Sequence, residues 1–238
     1  MEKKVGVIVQ ARLGSERLPG KILLQACNKP FLELLLERLS GLNPIVATTT
    51  LDRDLPIVEL CEKLKVPVYR GSEQDVLERT YRAAKENGLK TIIRITSDCP
   101  LADPEMISNY LQLFEEEDVD YLTNTLERTF PRGMDVEIFT FKALEAAWKE
   151  AQEPFDREHV TPYIRHHWGR FKPFSITQKE DASSIRLTLD TPDDYKLLKA
   201  IFEELYPKKK NFDYQDILQT LKEHPDWIEW NHHVKQKS

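Results

Sequence analysis

Val5-Gly6-Val7-Ile8-Val9-Gln10-Ala11-Arg12-Leu13-Gly14-Ser15-Glu16-Arg17-Leu18-Pro19-Gly20-Lys21 is the stretch from which the rest of the chain can be read. It opens as an apolar, β-branched run, the composition of a strand buried on both faces. Gly14, Pro19 and Gly20 then turn it into a loop, and Arg12, Arg17 and Lys21 place three cations on that loop. Glycines let a loop turn its N–H groups inward and approach a ligand closely. Guanidinium forks and an ammonium point charge complement an oligophosphate. The stretch predicts a triphosphate cradle at the carboxyl end of strand one. It is not a P-loop, because five residues separate Gly14 from Gly20 and Ile22 stands where the magnesium-binding hydroxyl would be. No G-x-G-x-x-G occurs either. The competing reading is a solvated basic loop after an edge strand.

Working outward, strands and helices alternate. A helix is predicted over Phe31–Leu42, a strand over Pro44–Thr50, a helix over Asp54–Lys65 and a short strand over Val66–Tyr69. A helix over Gln74–Asn87, ending at Gly88, and a strand over Thr91–Thr96 follow. Such alternation predicts a mostly parallel sheet with helices on both faces, with ligands beyond the carboxyl ends of the strands. Strand four runs into Ser97-Asp98-Cys99-Pro100. Asp103 is an N-cap with Pro104 at N1 of the helix to about Glu117, whereas Asp98 has no such local task. An acid at that strand tip reads as a Mg²⁺ ligand or as a turn-stabilising Asp.

Val119–Thr123 and Met134–Phe139 are the next predicted strands. In the second, Asp135 and Glu137 share one face, to be read either as solvated or as bonding sugar hydroxyls. Helices are predicted from Lys142 to Gln152 and from Asp156 onward through Pro162. A strand over Ile185–Leu189 leads to Asp190-Thr191-Pro192-Asp193-Asp194. Thr191 suits an N-cap, Pro192 N1 and Asp194 N3, so capping explains every polar residue here except Asp190. Asp98 and Asp190, each ending a strand, can share one cation. The tail from Asn211 to Ser238 adds one helix and the packing aromatics Trp227 and Trp230.

At 238 residues the chain is long enough for one ordinary domain, or one domain with a sizeable insertion, and 40% apolar residues suffice for its core. A net charge of −6 argues against a general nucleic-acid binder. No apolar run approaches the roughly 20 residues of a membrane span. No signal-like apolar segment precedes the first strand, and Cys27, Cys61 and Cys99 have no C-x-x-C spacing. The expectation is a cytoplasmic protein without a disulfide framework. His166-His167 and His232-His233 are adjacent pairs that point to different helix faces, so no histidine metal site is expected.

The loop Val9–Lys21 closely resembles the signature of the cytidylyltransferases that make CMP-activated 2-keto sugars. The nearest pattern is the spore-coat polysaccharide biosynthesis protein F type, related to the acylneuraminate and 3-deoxy-manno-octulosonate cytidylyltransferases. The resemblance continues through Arg70-Gly71, Asp75–Arg79, Thr96–Leu101, Phe130–Glu137, Arg157–Tyr163 and Leu189–Asp194. It implies a nucleotide-diphospho-sugar transferase-like (Rossmann-like) α/β fold with a mixed, mostly parallel seven-stranded sheet. Residues 1–238 would be a single nucleotidyltransferase domain, with 124–180 a sugar-binding and dimerisation excursion. It implies CTP held by Ala11, Arg12, Gly14, Ser15, Arg17, Lys21, Asp75, Arg79 and Ser97. Lys21, Arg12, Asp98 and Asp190 would be catalytic, and Asp98 and Asp190 would carry Mg²⁺. Asp135, Glu137, Glu158 and His159 would read the sugar. The reaction implied is CTP plus a sugar giving a CMP-sugar and pyrophosphate, in a cytoplasmic homodimer with no nucleic-acid or membrane partner. Gln10 departs from the proline usual before Ala-Arg in the octulosonate and sialic-acid enzymes. Three rivals stay open. They are a sugar-phosphate transferase using another NTP, a nucleotide-sugar-dependent glycosyltransferase and a non-catalytic nucleotide-binding module. The second usually shows Asp-x-Asp, where Asp98 is followed by Cys99-Pro100.

Overall fold

The computed structural model describes residues 4–235. In chain order its strands are β1 (Val5–Gln10), β2 (Gln25–Ala26), β3 (Lys29–Pro30), β4 (Pro44–Thr49), β5 (Val68–Gly71), β6 (Thr91–Thr96), β7 (Tyr121–Thr123), β8 (Glu137–Thr140) and β9 (Pro173–Ser175). The helices are α1 (Phe31–Arg38), α2 (Leu55–Leu64), α3 (Val76–Glu86), α4 (Pro104–Glu116) and α5 (Phe141–Glu150). They continue with α6 (Pro154–His159), α7 (Pro162–His166), α8 (Pro192–Leu205), α9 (Tyr214–Glu223) and α10 (Asp226–Glu229).

The predicted seven-stranded sheet is present, in the order β5-β4-β1-β6-β8-β7-β9. The pairings of β8 with β6 and with β7 are antiparallel, and the other pairings in this sheet are parallel. Period-two alternation splits the apolar side chains of the central strands between two cores. Val7, Val9, Val46, Ile93 and Ile95 face the core shared with α1, α2, α4, α8 and α9. Ile8, Ile45, Ala47 and Ile92 face the core shared with α3, α5 and α7. Helices thus cover both faces, which is why β1 and β4 read as near-continuous apolar runs. Successive connections run from β1 outward to β4 and β5, then back to β6 on the other side of β1. The order reverses between β1 and β6, and a crevice opens beyond their carboxyl ends.

Local chemistry sets the element ends. Asp103 caps α4, accepting from the amides of Glu105 and Met106. Thr191 and Asp194 form a full capping box on α8. Cys27 and Asn28, both with positive φ (51° and 60°), make the two-residue turn between β2 and β3.

Several sequence expectations are corrected. Ile185–Leu189 is not a ladder strand. The Leu187 amide donates to the Arg132 carbonyl and the Leu189 amide to the Asp98 carbonyl, at 2.6 and 2.8 Å, and an isolated bridge joins Arg132 to Arg186. The segment is stitched between the end of β6 and the 131–133 loop, too briefly to build a ladder. The helix from Asp156 breaks into α6 and α7, because Val160 takes φ 72° and Pro162 starts the second. β9 was not anticipated. It and β8 belong to the main sheet, so 124–180 supplies two of its strands.

Gly133 holds the 131–133 loop against the 185–189 segment. Its φ is +96°, and a Cβ there would lie 2.2 Å from the Leu187 carbonyl oxygen, a backbone atom that cannot step aside. Gly133→Ala is expected to cost about 3 kcal/mol through strain and overlap. A thermal melt would show the loss, and an unchanged midpoint would contradict this packing.

Candidate active site

The crevice at the β1/β6 switch is a cleft of about 870 Å³. That volume lies within the range of small-molecule sites. One wall is the 11–21 loop. Its shape is fixed from within by the Ser15 and Gly20 amides donating to the Leu13 carbonyl, and Gly20 adopts φ 66°. It is fixed from outside by Asp54, which is fully buried and accepts the Leu13 amide at 2.7 Å and the Thr49 hydroxyl. Asp54 was not singled out in the sequence, because its task depends on a contact 41 residues away.

Lys21 sits at the centre. Its Nζ donates to Asp98 Oδ2 at 3.0 Å and to Asp190 Oδ1 at 2.8 Å. Asp98, just past β6, and Asp190, just past the 185–189 segment, 92 positions apart by number (190 less 98), therefore meet on the ammonium that ends the loop. Burial would raise the Asp98 carboxyl, but the Lys21 charge and hydrogen bonds from Thr96 and Lys21 hold it below its ordinary value. Burial works against the Lys21 ammonium too, yet Asp98 and Asp190 keep it above its ordinary value. Asp190 is held from two further sides. Arg17 Nη2 lies 3.0 Å from Oδ2, and the buried Arg186 donates to Oδ2 at 2.8 Å while also binding Asp194. Arg186 was missed, since a cation four residues before an acid carries no signal of its own.

The remaining candidates divide. Ala11, Arg12, Gly14, Ser15, Arg17, Arg79, Ser97, Glu158 and His159 line the cleft with Lys21, Asp98 and Asp190. Arg53, Glu73, Val76, Thr96 and Gln10 line it as well. His159 is kept below its ordinary pKa by burial, with Arg94 and Arg165 adding to the effect and Glu158 opposing it. Three predicted residues are off the lining. Asp75 is the N-cap of α3 and pairs with Arg157. The D-x-x-E pattern of Asp75–Glu78 was the available signal for the cap. Asp135 accepts from both terminal nitrogens of Arg128, Nη1 and Nη2, at 2.6 and 3.0 Å. Glu137 is 6% exposed and accepts from Arg94, Tyr121 and Thr161. It opens β8, so the alternation expected to pair it with Asp135 does not reach that residue. Glu137 is an internal support where a sugar reader was expected.

Among the described residues no group of three or more His, Cys, Asp or Glu side chains forms a metal cage. The donor set that does converge, two carboxylates beside the cationic 11–21 loop, fits Mg²⁺, which is commonly held by one or two carboxylates plus substrate phosphates.

A family model described as cytidylyltransferase matches residues 6–221. The chain belongs to the cytidylyltransferase family. This cytidylyltransferase is 30% identical to the spore coat polysaccharide biosynthesis protein SpsF of Bacillus subtilis, over 92% of its own length and 94% of the relative's. It is 31% identical to a 3-deoxy-manno-octulosonate cytidylyltransferase of Solibacter usitatus over 70% of each chain. A solved cytidylyltransferase from Leptospira borgpetersenii superposes on all of it with a TM-score of 0.91 at 37% identity, and all of that chain is covered. The expected family and fold are both met. Among the described residues no helix of the cytidylyltransferase is long and apolar enough to cross a membrane.

Proposed function

We propose that this cytidylyltransferase activates a 2-keto sugar acid with CTP, giving a CMP-sugar and pyrophosphate for surface or spore-coat polysaccharide synthesis. The observation that carries the reading is Lys21 bound to Asp98 and Asp190 at once. The names of the Bacillus and Solibacter relatives support the pathway and the sugar class. The anomeric hydroxyl attacks the α-phosphorus in line and pyrophosphate leaves opposite, so positioning and charge neutralisation do most of the catalysis. Arg12, Arg17 and Lys21 take the negative charge that grows on the leaving pyrophosphate. Ala11, Gly14, Ser15, Arg79 and Ser97 hold the nucleotide, and Glu158 and His159 face the sugar. Asp98 and Asp190 are the groups that would hold Mg²⁺, which when bound supplies positive charge at the α-phosphate and makes the attacking hydroxyl more acidic.

The reading extends to a cytoplasmic homodimer. Its support is the exposure of Phe155 and Trp168, 56% and 64%, and three unpaired thiols. Sedimentation of the wild type and of Phe155→Ser/Trp168→Ser tests it, with a wild-type dimer and a variant monomer expected.

The function is tested by pyrophosphate release from CTP, UTP, GTP and ATP against a panel of 2-keto sugar acids and sugar 1-phosphates, with and without Mg²⁺. CTP with a keto-sugar acid and Mg²⁺ is the pair expected to turn over. Turnover only with a sugar 1-phosphate, or only with another nucleotide, would overturn the substrate assignment.

A further inference from the structure

Gln10 ends β1 and lines the cleft beside Val76 and Arg79. Its side chain belongs to a run of buried polar groups that the phosphoryl chemistry does not use. Nε2 donates to Thr80 Oγ1 at 2.9 Å, and the Thr80 hydroxyl donates onward to the Val76 carbonyl at 2.8 Å. Oε1 accepts from Arg94 Nη2 at 2.9 Å. Arg94 is ion-paired with Glu137, which also accepts from the Tyr121 and Thr161 hydroxyls, each at 2.6 Å.

These contacts fix which way round the amide lies. Arginine offers donors only, so the oxygen of Gln10 must face Arg94. The Thr80 hydroxyl has given its proton to Val76, so toward Gln10 it can only accept. A flip of the amide would forfeit both bonds. The Arg94–Glu137 pair that anchors this arrangement is itself poor value as a stabiliser, since a buried ion pair gains little over apolar residues of the same shape. Its bond to Gln10, a side chain that lines the cleft, points to what it orients.

We propose that Gln10 reads the Watson–Crick edge of the nucleotide base, and that Arg94 and Thr80 make it a reader of cytosine and not of uracil. With those two partners served, Gln10 keeps one amide hydrogen and one carbonyl lone pair. Cytosine presents an amino donor at C4 beside an acceptor at N3. Uracil presents an acceptor at C4 beside a donor at N3. The order is reversed, so a freely rotating glutamine suits both bases, whereas a locked one suits one and opposes like with like against the other. Gln10 is thus the specificity residue, and Arg94, Thr80 and Glu137 are positioning residues. The inference rests on the proposed use of CTP.

The test is kcat/KM for CTP and for UTP, by pyrophosphate release, in the wild type, Gln10→Ala and Thr80→Val. Thr80→Val is nearly isosteric and frees the nitrogen end of the amide while leaving the buried ion pair intact. With Arg94 still holding the oxygen end, it is expected to lower the CTP:UTP ratio about fourfold, chiefly by raising UTP use. Gln10→Ala is expected to lower the ratio further by reducing CTP use. Melting temperatures confirm that both variants are folded, and a merely structural role would move CTP and UTP alike. A ratio within twofold of wild type in both folded variants would overturn the lock while leaving the use of CTP standing. A wild type with no CTP preference would instead overturn the nucleotide assignment, and the lock with it.

Discussion

Asp98→Asn is expected to lower turnover on the order of 10³-fold while changing CTP affinity less than about tenfold. The substitution keeps the size of the side chain and leaves an oxygen for Lys21, which now lies 3.0 Å from the carboxylate. What disappears is the negative charge that would hold a divalent ion against the α-phosphate. On the proposed reading Arg12 and Arg17 of the 11–21 loop still offer their charges to the triphosphate, so binding is expected to survive better than chemistry. Asp190→Asn should lose turnover similarly and stability as well. Its carboxylate is nearly buried and touches Lys21, Arg17 and Arg186, and breaking such a pair leaves uncompensated cations, at a cost of about 3 kcal/mol. Single-turnover kinetics, CTP titration and a melting curve separate the three effects. Near-wild-type activity in both variants would remove these acids from the chemistry.

The sequence disclosed the parts of this site whose reasons are local. The β-branched run before Gln10 announced a buried strand, and Gly14, Pro19 and Gly20 announced the loop. Asp98 and Asp190 stood out because capping, which accounts for Asp103, Thr191 and Asp194, left them unexplained; the structure places both on Lys21. What stayed hidden depends on distant partners. Asp135 and Glu137 look alike in an alternating strand, but Arg128 takes one and Arg94 the other, the latter 43 residues away. The break between α6 and α7 turns on a β-branched residue, Val160, at positive φ, a conformation its sequence disfavours. Strand β9 is three residues long and begins with a proline, as an edge strand can, so no period is available to detect it.

Lys21→Met is expected to move two measurements in opposite directions. Turnover should fall on the order of 10²- to 10³-fold, because the ammonium proposed to neutralise the leaving pyrophosphate is gone. The nucleotide-free protein, by contrast, should bind a divalent ion more tightly. In the structure the Lys21 ammonium lies between Asp98 and Asp190, at 3.0 and 2.8 Å, where an ion shared by the two acids would have to sit. Methionine fills similar volume without charge, so the acids would face one another with Arg17 and Arg186 still on the Asp190 side. Mn²⁺ titration followed by electron paramagnetic resonance, without nucleotide, reads this directly. CTP should narrow the difference between wild type and variant, because its phosphates offer Lys21 an alternative anion and release the acids. Equal Mn²⁺ affinity in the two free proteins would mean that the ammonium and the metal do not compete for one place. Failure of either protein to bind Mn²⁺, even with CTP present, would remove the ion from these two carboxylates altogether.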